Sequence, residues 1–216
     1  MKNKVTTKED IIAKFRDGQT IAIGGQTAHY MPERLIGCIL ESGAKHLTIY
    51  SIDTGDPGIG VGRLIDAGVV DSIITTHVGT NPVTNAQIQA GTLKAELSPM
   101  GSFIERIRCG GFGLGGVLTR TGLGTVVEDR KKVIEVEGVK YLLEPAIRAD
   151  IAITRCRRAD PIGNLTYQGA SGRASHPVIA TCGDLSIVEC DNYCDLGEIT
   201  PDEVEVPGIF IDMILV

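Results

Sequence analysis

The chain contains no tryptophan, and aromatic residues make up only 4% of it. Surfaces that stack bases or sugar rings depend on such side chains, so this scarcity weighs against both kinds of ligand. Positive charge is short as well: 21 lysines and arginines stand against 27 acidic residues, for a formal net charge of −6. The basic residues are scattered, leaving no stripe to neutralise a phosphate backbone, and a nucleic-acid partner is not expected. Apolar runs such as Ile209-Phe210-Ile211 and Val69-Val70 fall far below the roughly 20 residues of a membrane span. Met1-Lys2-Asn3-Lys4-Val5 does not open a signal peptide. The expectation is a soluble, cytoplasmic protein without a membrane partner.

Disulfide and metal signatures are missing too. Cys38, Cys109, Cys156, Cys182, Cys190 and Cys194 are dispersed among apparent helices and strands, without the spacing of a small disulfide scaffold. Cys190 and Cys194 have no neighbouring His or Cys cluster to complete a zinc site. All six read as reduced, buried thiols, and no metal is expected.

What is present is a single-domain pattern. At 216 residues with 43% hydrophobic content, the chain can bury one sizeable core, and no break in composition divides residues 1–216. Thr6 to Asp10 offers helix-capping chemistry before Ile11, Ile12 and Phe15, a helix ending at Asp17-Gly18. Thr20 to Ile23 is a short apolar strand stopped by Gly24-Gly25, and Pro32 suits the first turn of a helix reaching Gly43. His46–Tyr50 and Ser72–Thr76 read as strands, Val61–Ala67 and Asn85–Ala90 as helices. This alternation predicts an α/β fold: a mostly parallel open sheet with helices on both faces and its ligand crevice at the carboxyl ends of the strands.

The second half reads as richer in strand. A hairpin is expected from Lys132–Val136 to Val139–Leu142 across Glu137-Gly138, with further strands at Ile151–Ile153, Leu165–Tyr167, Val178–Ala180, Leu185–Val188 and Ile209–Asp212. Between the halves, Glu96 to Thr125 is dense in glycine around a Ser-Pro-Met-Gly turn and a short polar helix at Phe103–Cys109. Such a stretch lets main chain approach a ligand or partner closely.

Chemistry is harder to read. Gly24 to Tyr30 joins a strand to a helix, so its N–H groups and the positive helix end form a seat for a phosphate or carboxylate; a plain connection is the other reading. A Walker motif is absent, and Gly111 to Gly116 follows a polar helix instead of a strand, which rules out a dinucleotide site. No nucleophilic triad has recognisable spacing. His77, ending a strand in Thr76 to Pro82, is the best single polar candidate, with a structural histidine as the alternative. His29 sits in the anion turn, where capping the next helix is its other role.

Nearly the whole chain from about Val5 onward resembles the alpha subunit of family I coenzyme A transferases of the acetate/3-oxoacid type, a fold related to sugar-phosphate isomerases. The resemblance rests on Ile23-Gly24-Gly25, Thr76 to Pro82, Ile104 to Gly111, Gly122 to Glu128, Arg148 to Ala152, Gly163 to Tyr167 and Val206 to Ile209. It implies a homologous beta subunit carrying the nucleophilic glutamate within Glu-Asn-Gly, a tripeptide that this chain lacks, in an alpha-beta heterodimer or heterotetramer. In the implied reaction that glutamate attacks an acyl-CoA thioester, giving an acyl-glutamyl anhydride and then a glutamyl-CoA thioester that a second acid attacks. Coenzyme A thioester is then a substrate, and no tightly bound cofactor is expected. Carried over residue by residue, Gly24, Gly25, Gln26, Thr27, Ala28, His29 and Tyr30 face coenzyme A and substrate. Met100 and Gly101 form the turn supporting the oxyanion, and His77, Gly79 and Asn81 belong to the substrate pocket.

Several of these positions depart from the family pattern, which has phenylalanine at Gln26, glycine at Tyr30, glutamine at Met100, and Ala-Arg-Asn-Phe-Asn-Pro at Gly172 to Pro177. A thioether donates no hydrogen bond, so oxyanion support at Met100 falls to its backbone N–H. Departures grouped at the implied pocket argue for a changed, more polar acid substrate, with drift around an acetoacetate site as the bland alternative. Two other functions fit the same fold: a sugar-phosphate-binding module using Gly24-Gly25, and a non-catalytic scaffold subunit.

Overall fold

The computed structural model describes residues 3–27 and 29–216. Its first half alternates helix and strand: α1 (Lys8–Ile12), β1 (Thr20–Ile23), α2 (Glu33–Ser42), β2 (Leu47–Tyr50), α3 (Val61–Asp66), β3 (Val70–Thr75), α4 (Pro82–Gln89), β4 (Lys94–Leu97) and α5 (Met100–Gly111). Three strands follow, β5 (Gly116–Thr119), β6 (Lys132–Val136) and β7 (Val139–Pro145). The chain then returns through β8 (Ala149–Ala159), β9 (Leu165–Thr166), α6 (Gly169–Ala174), α7 (His176–Ile179), β10 (Gly183–Tyr193) and β11 (Met213–Leu215).

The main sheet has the order β11-β10-β8-β1-β2-β3-β4, with every neighbouring pair along it parallel and β9 added antiparallel to β8. Alternation within β1 shows how the sequence builds two cores. Ile21 and Ile23 point to one face, into a cluster with Ile11, Leu35, Ile36, Leu64 and Ile65 of α1 to α3. Ala22 points to the other, where Phe103 and Ile107 of α5 meet Val178 and Ile179 of α7. The expected open parallel sheet with helices on both faces is the observed one. Because the chain moves from β1 to β4 in one direction and from β8 to β11 in the other, the strand order reverses between β1 and β8, where open α/β sheets form their ligand crevice.

The expected hairpin is also observed. Val136 pairs with Val139, and Glu137 and Gly138 both take positive φ, 51° and 77°, the left-handed pair that a two-residue hairpin turn requires. With β5 it makes a separate three-stranded antiparallel sheet.

Some expectations are corrected. Val178–Ala180 lies at the end of α7 and beyond it, not in a strand: Pro177 in the first turn pre-sets helical φ, and the Val178 and Ile179 side chains pack with Phe103 and Ile107 of α5. Ile209–Asp212 is not a strand either. Gly208–Phe210 forms a 3-10 turn, with Gly208 donating to Asn164 Oδ1 at 2.9 Å, and the strand begins at Met213. Helix α1 stops at Ile12, short of Asp17. The helix read as polar is longer, and buries Phe103 and Ile107.

Candidate active site at the carboxyl ends of the strands

The segments expected to carry function meet along one crest, formed by the connections that leave β1, β2, β3 and β4 at their carboxyl ends. Above β1, Gln26 and His29 pair backbone to backbone, His29 donating to Gln26 at 2.8 Å, to make a tight projecting turn. Thr27 and Tyr30 within it adopt φ of 45° and 57°. Ala28 lies outside the described residues.

The free N–H groups expected in this turn are largely taken by acceptors of the chain itself. Gly24 donates to Ile153 O at 3.0 Å, Gly25 to Ser175 Oγ at 3.1 Å, and Thr27 to Asp53 Oδ2 at 2.6 Å. The start of α2 is filled in the same way: Arg34 and Leu35 donate to Glu189 Oε2 at 2.8 and 3.0 Å. A carboxylate does sit on the positive helix end, but it is an internal one. Burial pushes the Glu189 carboxyl above its usual range, against the opposing pull of the Leu35 N–H and the Arg34 charge.

Behind the turn lies His176, within the Gly172 to Pro177 segment that departs from the family pattern, though nothing in the sequence gives it a role of its own. The His176 ring is fully buried, so close to Gly24 that a Cβ there would collide with it, which explains the glycine. Its Nδ1 accepts the Arg155 N–H at 3.1 Å and its Nε2 meets Tyr30 O at 2.9 Å. Burial lowers the imidazole to about 4, so it is neutral. The Tyr30 ring stands edge-on to His176, with centroids 5.4 Å apart, and carries the Arg155 guanidinium 4.7 Å above it. Its hydroxyl donates to Asp191 at 3.2 Å; burial, then the Asp191 charge, pushes the phenol far above its usual value.

Above β2 to β4 the crest is more open. Asp53 and His77 form a parallel bridge, and the His77 side chain is exposed. Gly79 stands against His77, since a Cβ there would lie 2.8 Å from the ring. Asn81, expected in the pocket, is buried scaffold: Oδ1 caps α4 by accepting from Val83 at 3.0 Å and Thr84 at 3.2 Å, and Nδ2 donates to Thr54 O at 3.1 Å. Met100 and Gly101 do not form a turn but open α5, with Pro99 as the preceding cap. Their N–H groups therefore belong to the first helical turn, which has no acceptor within its own helix. The Met100 side chain is 39% exposed, its sulfur 3.7 Å from Thr76 Oγ1. Open space surrounds the position of a Cβ at Gly101.

The other residues that hold this crest, Asp53, Arg155, Ser175, Glu189 and Asp191, were also not singled out as site residues. Asp53 carried a local signal, in Asp53-Thr54-Gly55 directly after a strand, and Ser175 lies in the divergent Gly172 to Pro177 segment. A larger hollow of about 620 Å³ lies between β4 and the small sheet. The buried Arg106 pairs with the exposed Glu96 at 2.6 Å and the part-buried Lys131 with the buried Glu144 at 2.6 Å, so the hollow reads as a junction between sheets. Among the described residues no group of three or more metal-ligating side chains comes together, and no helix is long and apolar enough to cross a membrane.

Comparison with known proteins gives this crest a family. The model for coenzyme A transferase matches residues 5–216. The chain is 45% identical over 216 residues to the acetate CoA-transferase subunit alpha of Escherichia coli strain K12, covering 100% of this chain and 98% of that one. It is 39% identical over 215 residues to the acetoacetyl-CoA:acetate/butyrate CoA transferase alpha subunit of Clostridium acetobutylicum, at 100% and 98% coverage. Among solved structures, glutaconate coenzyme A-transferase from Acidaminococcus fermentans superposes with a TM-score of 0.85 at 21% identity, over 99% of this chain and 75% of that one. An acyl-CoA transferase of Escherichia coli O157:H7, in thioester complex with CoA, gives 0.85 at 20% identity; this chain spans 47% of its length. At such identities the structures speak to the fold, while the sequence relatives and the family match carry the assignment: the chain belongs to the coenzyme A transferase family.

Proposed function

We propose that the chain is the alpha-type half of a two-subunit CoA transferase, which moves CoA between an acyl-CoA and a short carboxylic acid while the nucleophilic glutamate resides on a homologous beta subunit. One observation carries this reading. The carboxylates that hold the turn and its walls are all engaged: Asp53 by the Thr27 and Gly55 N–H groups, Glu189 by the start of α2, and Asp191 by Arg155 and Tyr30. All six thiols are buried. A nucleophile for the thioester is then best supplied from outside the chain.

In this reading the partner's glutamate attacks the acyl-CoA carbonyl, and the backbone N–H groups of Met100 and Gly101 stabilise the oxyanion. Gln26 and the outer nitrogen of His29 line the acid's side of the cleft, because His29 Nδ1 is committed to Thr27 O at 2.6 Å. The Tyr30 hydroxyl, committed to Asp191, adds less to pocket polarity than its chemistry alone implies. Occupation of the α2 terminus by Glu189 weighs against the sugar-phosphate-binding alternative.

The test is co-expression with a beta-type subunit carrying Glu-Asn-Gly, followed by hydroxylamine or borohydride trapping in the presence of acyl-CoA. A trapped glutamyl thioester on the partner, with no CoA exchange by the lone chain, is expected. Turnover by the lone chain would overturn the proposal. Within the complex, Gln26→Phe is expected to move acid preference away from polar acids and toward apolar ones.

A further inference from the structure

We propose that His176 and Tyr30 form a latch: His176 is a positioning residue that holds the turn Gly24–Tyr30 in a single shape, and the Tyr30 ring sets the size of acid that the cleft admits. The inference rests on the transferase reading above, but its physical basis is independent of it.

The starting point is the backbone. Tyr30 has a φ of 57°, in the left-handed region where a Cβ crowds the adjacent carbonyl, and a bulky side chain stays there only when its surroundings hold it. Those surroundings grip Tyr30 at three places. The His176 Nε2–H donates to its carbonyl at 2.9 Å. Its ring packs at right angles to the imidazole on one side and carries the Arg155 guanidinium on another. Its hydroxyl reaches Asp191, which Arg155 also binds at 2.9 Å.

His176 is in turn held by the sheet. Its Nδ1 accepts the backbone N–H of Arg155 on β8, which places the ring proton on Nε2, the nitrogen facing Tyr30. Tyr167 stacks on the same imidazole at 6.0 Å with a 22° angle between planes. Gly25, at the other end of the turn, is tied to Ser175, the residue before His176. One short segment, Ser175-His176, therefore clamps both ends of the turn. The clamp lies between β1 and β8, where the strand order reverses. Tyr30 remains partly exposed there, which leaves its ring available as the wall of the crevice that the proposal requires.

Two measurements test the latch. In the first, the chain assembled with its partner is assayed on straight-chain acids from acetate to hexanoate. Tyr30→Gly removes the wall and is expected to shift kcat/KM toward longer acids by about tenfold or more, as a pocket gaining apolar room does. His176→Gln can set an amide N–H where Nε2 stood and should keep the original preference. His176→Asn is too short to reach the Tyr30 carbonyl and should shift preference in the direction of Tyr30→Gly. The double variant, Tyr30→Gly with His176→Asn, should go no further than Tyr30→Gly alone. An unchanged preference in Tyr30→Gly, or shifts that multiply in the double variant, would overturn the proposal.

The second measurement is amide hydrogen exchange across Gln26–Tyr30 in the chain alone, which reads the latch without any turnover. His176→Asn should speed exchange of the Gln26 and His29 amides by about tenfold relative to β1, and His176→Gln should restore protection. Equal protection in all three proteins would sink the latch even in an active enzyme. Absence of CoA exchange by the wild-type complex with every acid would instead count against the transferase reading, leaving this second result to stand on its own.

Discussion

The crest above β1 and β8 and the crest above β3 and β4 are built from similar materials, glycines, histidines and hydroxyl residues, but are used differently. Around Tyr30 the polar groups are spent on one another: Asp191, Arg155, His176 and Ser175 fix the turn from behind. Around Met100 the side chains of His77 and Met100 are exposed, and the leading N–H groups of α5 have no acceptor within their own helix. One side is bonded internally like a mould, and the other, in the function proposed above, would keep donors in reserve for charge that appears only during reaction. Preorganised donors are most effective when the ground state does not consume them.

The largest effect that can break this comparison is at the open side. Met100→Pro places proline at the first helical position, where it is tolerated, after Pro99 whose ψ of 140° suits a residue preceding proline. The substitution removes one N–H and little else. A drop in kcat of about 10² to 10³ is expected in the assembled enzyme, with Met100→Ala retaining most of the rate. Equal rates for the two variants would remove oxyanion support from this position.

On the closed side the next largest effect is on stability. The His176 imidazole is held neutral at about 4, below its usual 6.5, so its contribution is present above pH 6.5 and is lost as pH falls from there toward 4. The difference amounts to about 3 kcal/mol at most. Denaturant midpoints taken between pH 7 and 4 should show this slope in the wild type and a smaller one in His176→Asn. Glu189 works in the opposite sense: its raised pKa means that stability is lost as pH rises through that value, so the comparison with His176→Asn isolates the imidazole.

Asn81→Ala sharpens the division between scaffold and site. It removes the cap of α4 and leaves the Thr54 carbonyl unpaired, for a loss of about 2 kcal/mol in unfolding free energy. The smallest effect belongs to exposed His77, where alanine should change stability by less than about 0.5 kcal/mol while altering turnover. If turnover too is unchanged, His77 is surface and no more.

Local signals carried most of the architecture. Ile21-Ala22-Ile23 before Gly24-Gly25, and Pro32 ahead of Leu35 and Ile36, place β1, its turn and α2 where they are found, because period and punctuation are properties of neighbouring residues. Val178-Ile179-Ala180 misled because β-branched residues after a proline suit a strand as well as the first turns of a buried helix; contact with Phe103 and Ile107 decides the matter. The site was legible as a set of segments but not as a division of labour. Asn81 and His77 lie in the same motif, yet one is buried and bonded and the other exposed. The partner of Tyr30 lies 146 positions away, and nothing local to either residue announces the pair.

The two longest strands outrun their neighbour. The last pairing of β1 is Ile23 with Ile153, but β8 continues to Ala159, still paired with β10 up to Tyr193. At about 3.3 Å per residue this ribbon rises roughly 20 Å past the end of β1. The cleft is therefore a terrace with one tall bank and one low bank. A companion domain settling over it would find hydrogen-bonded ribbon on the tall side and, on the low side, the connections that leave β1 to β4.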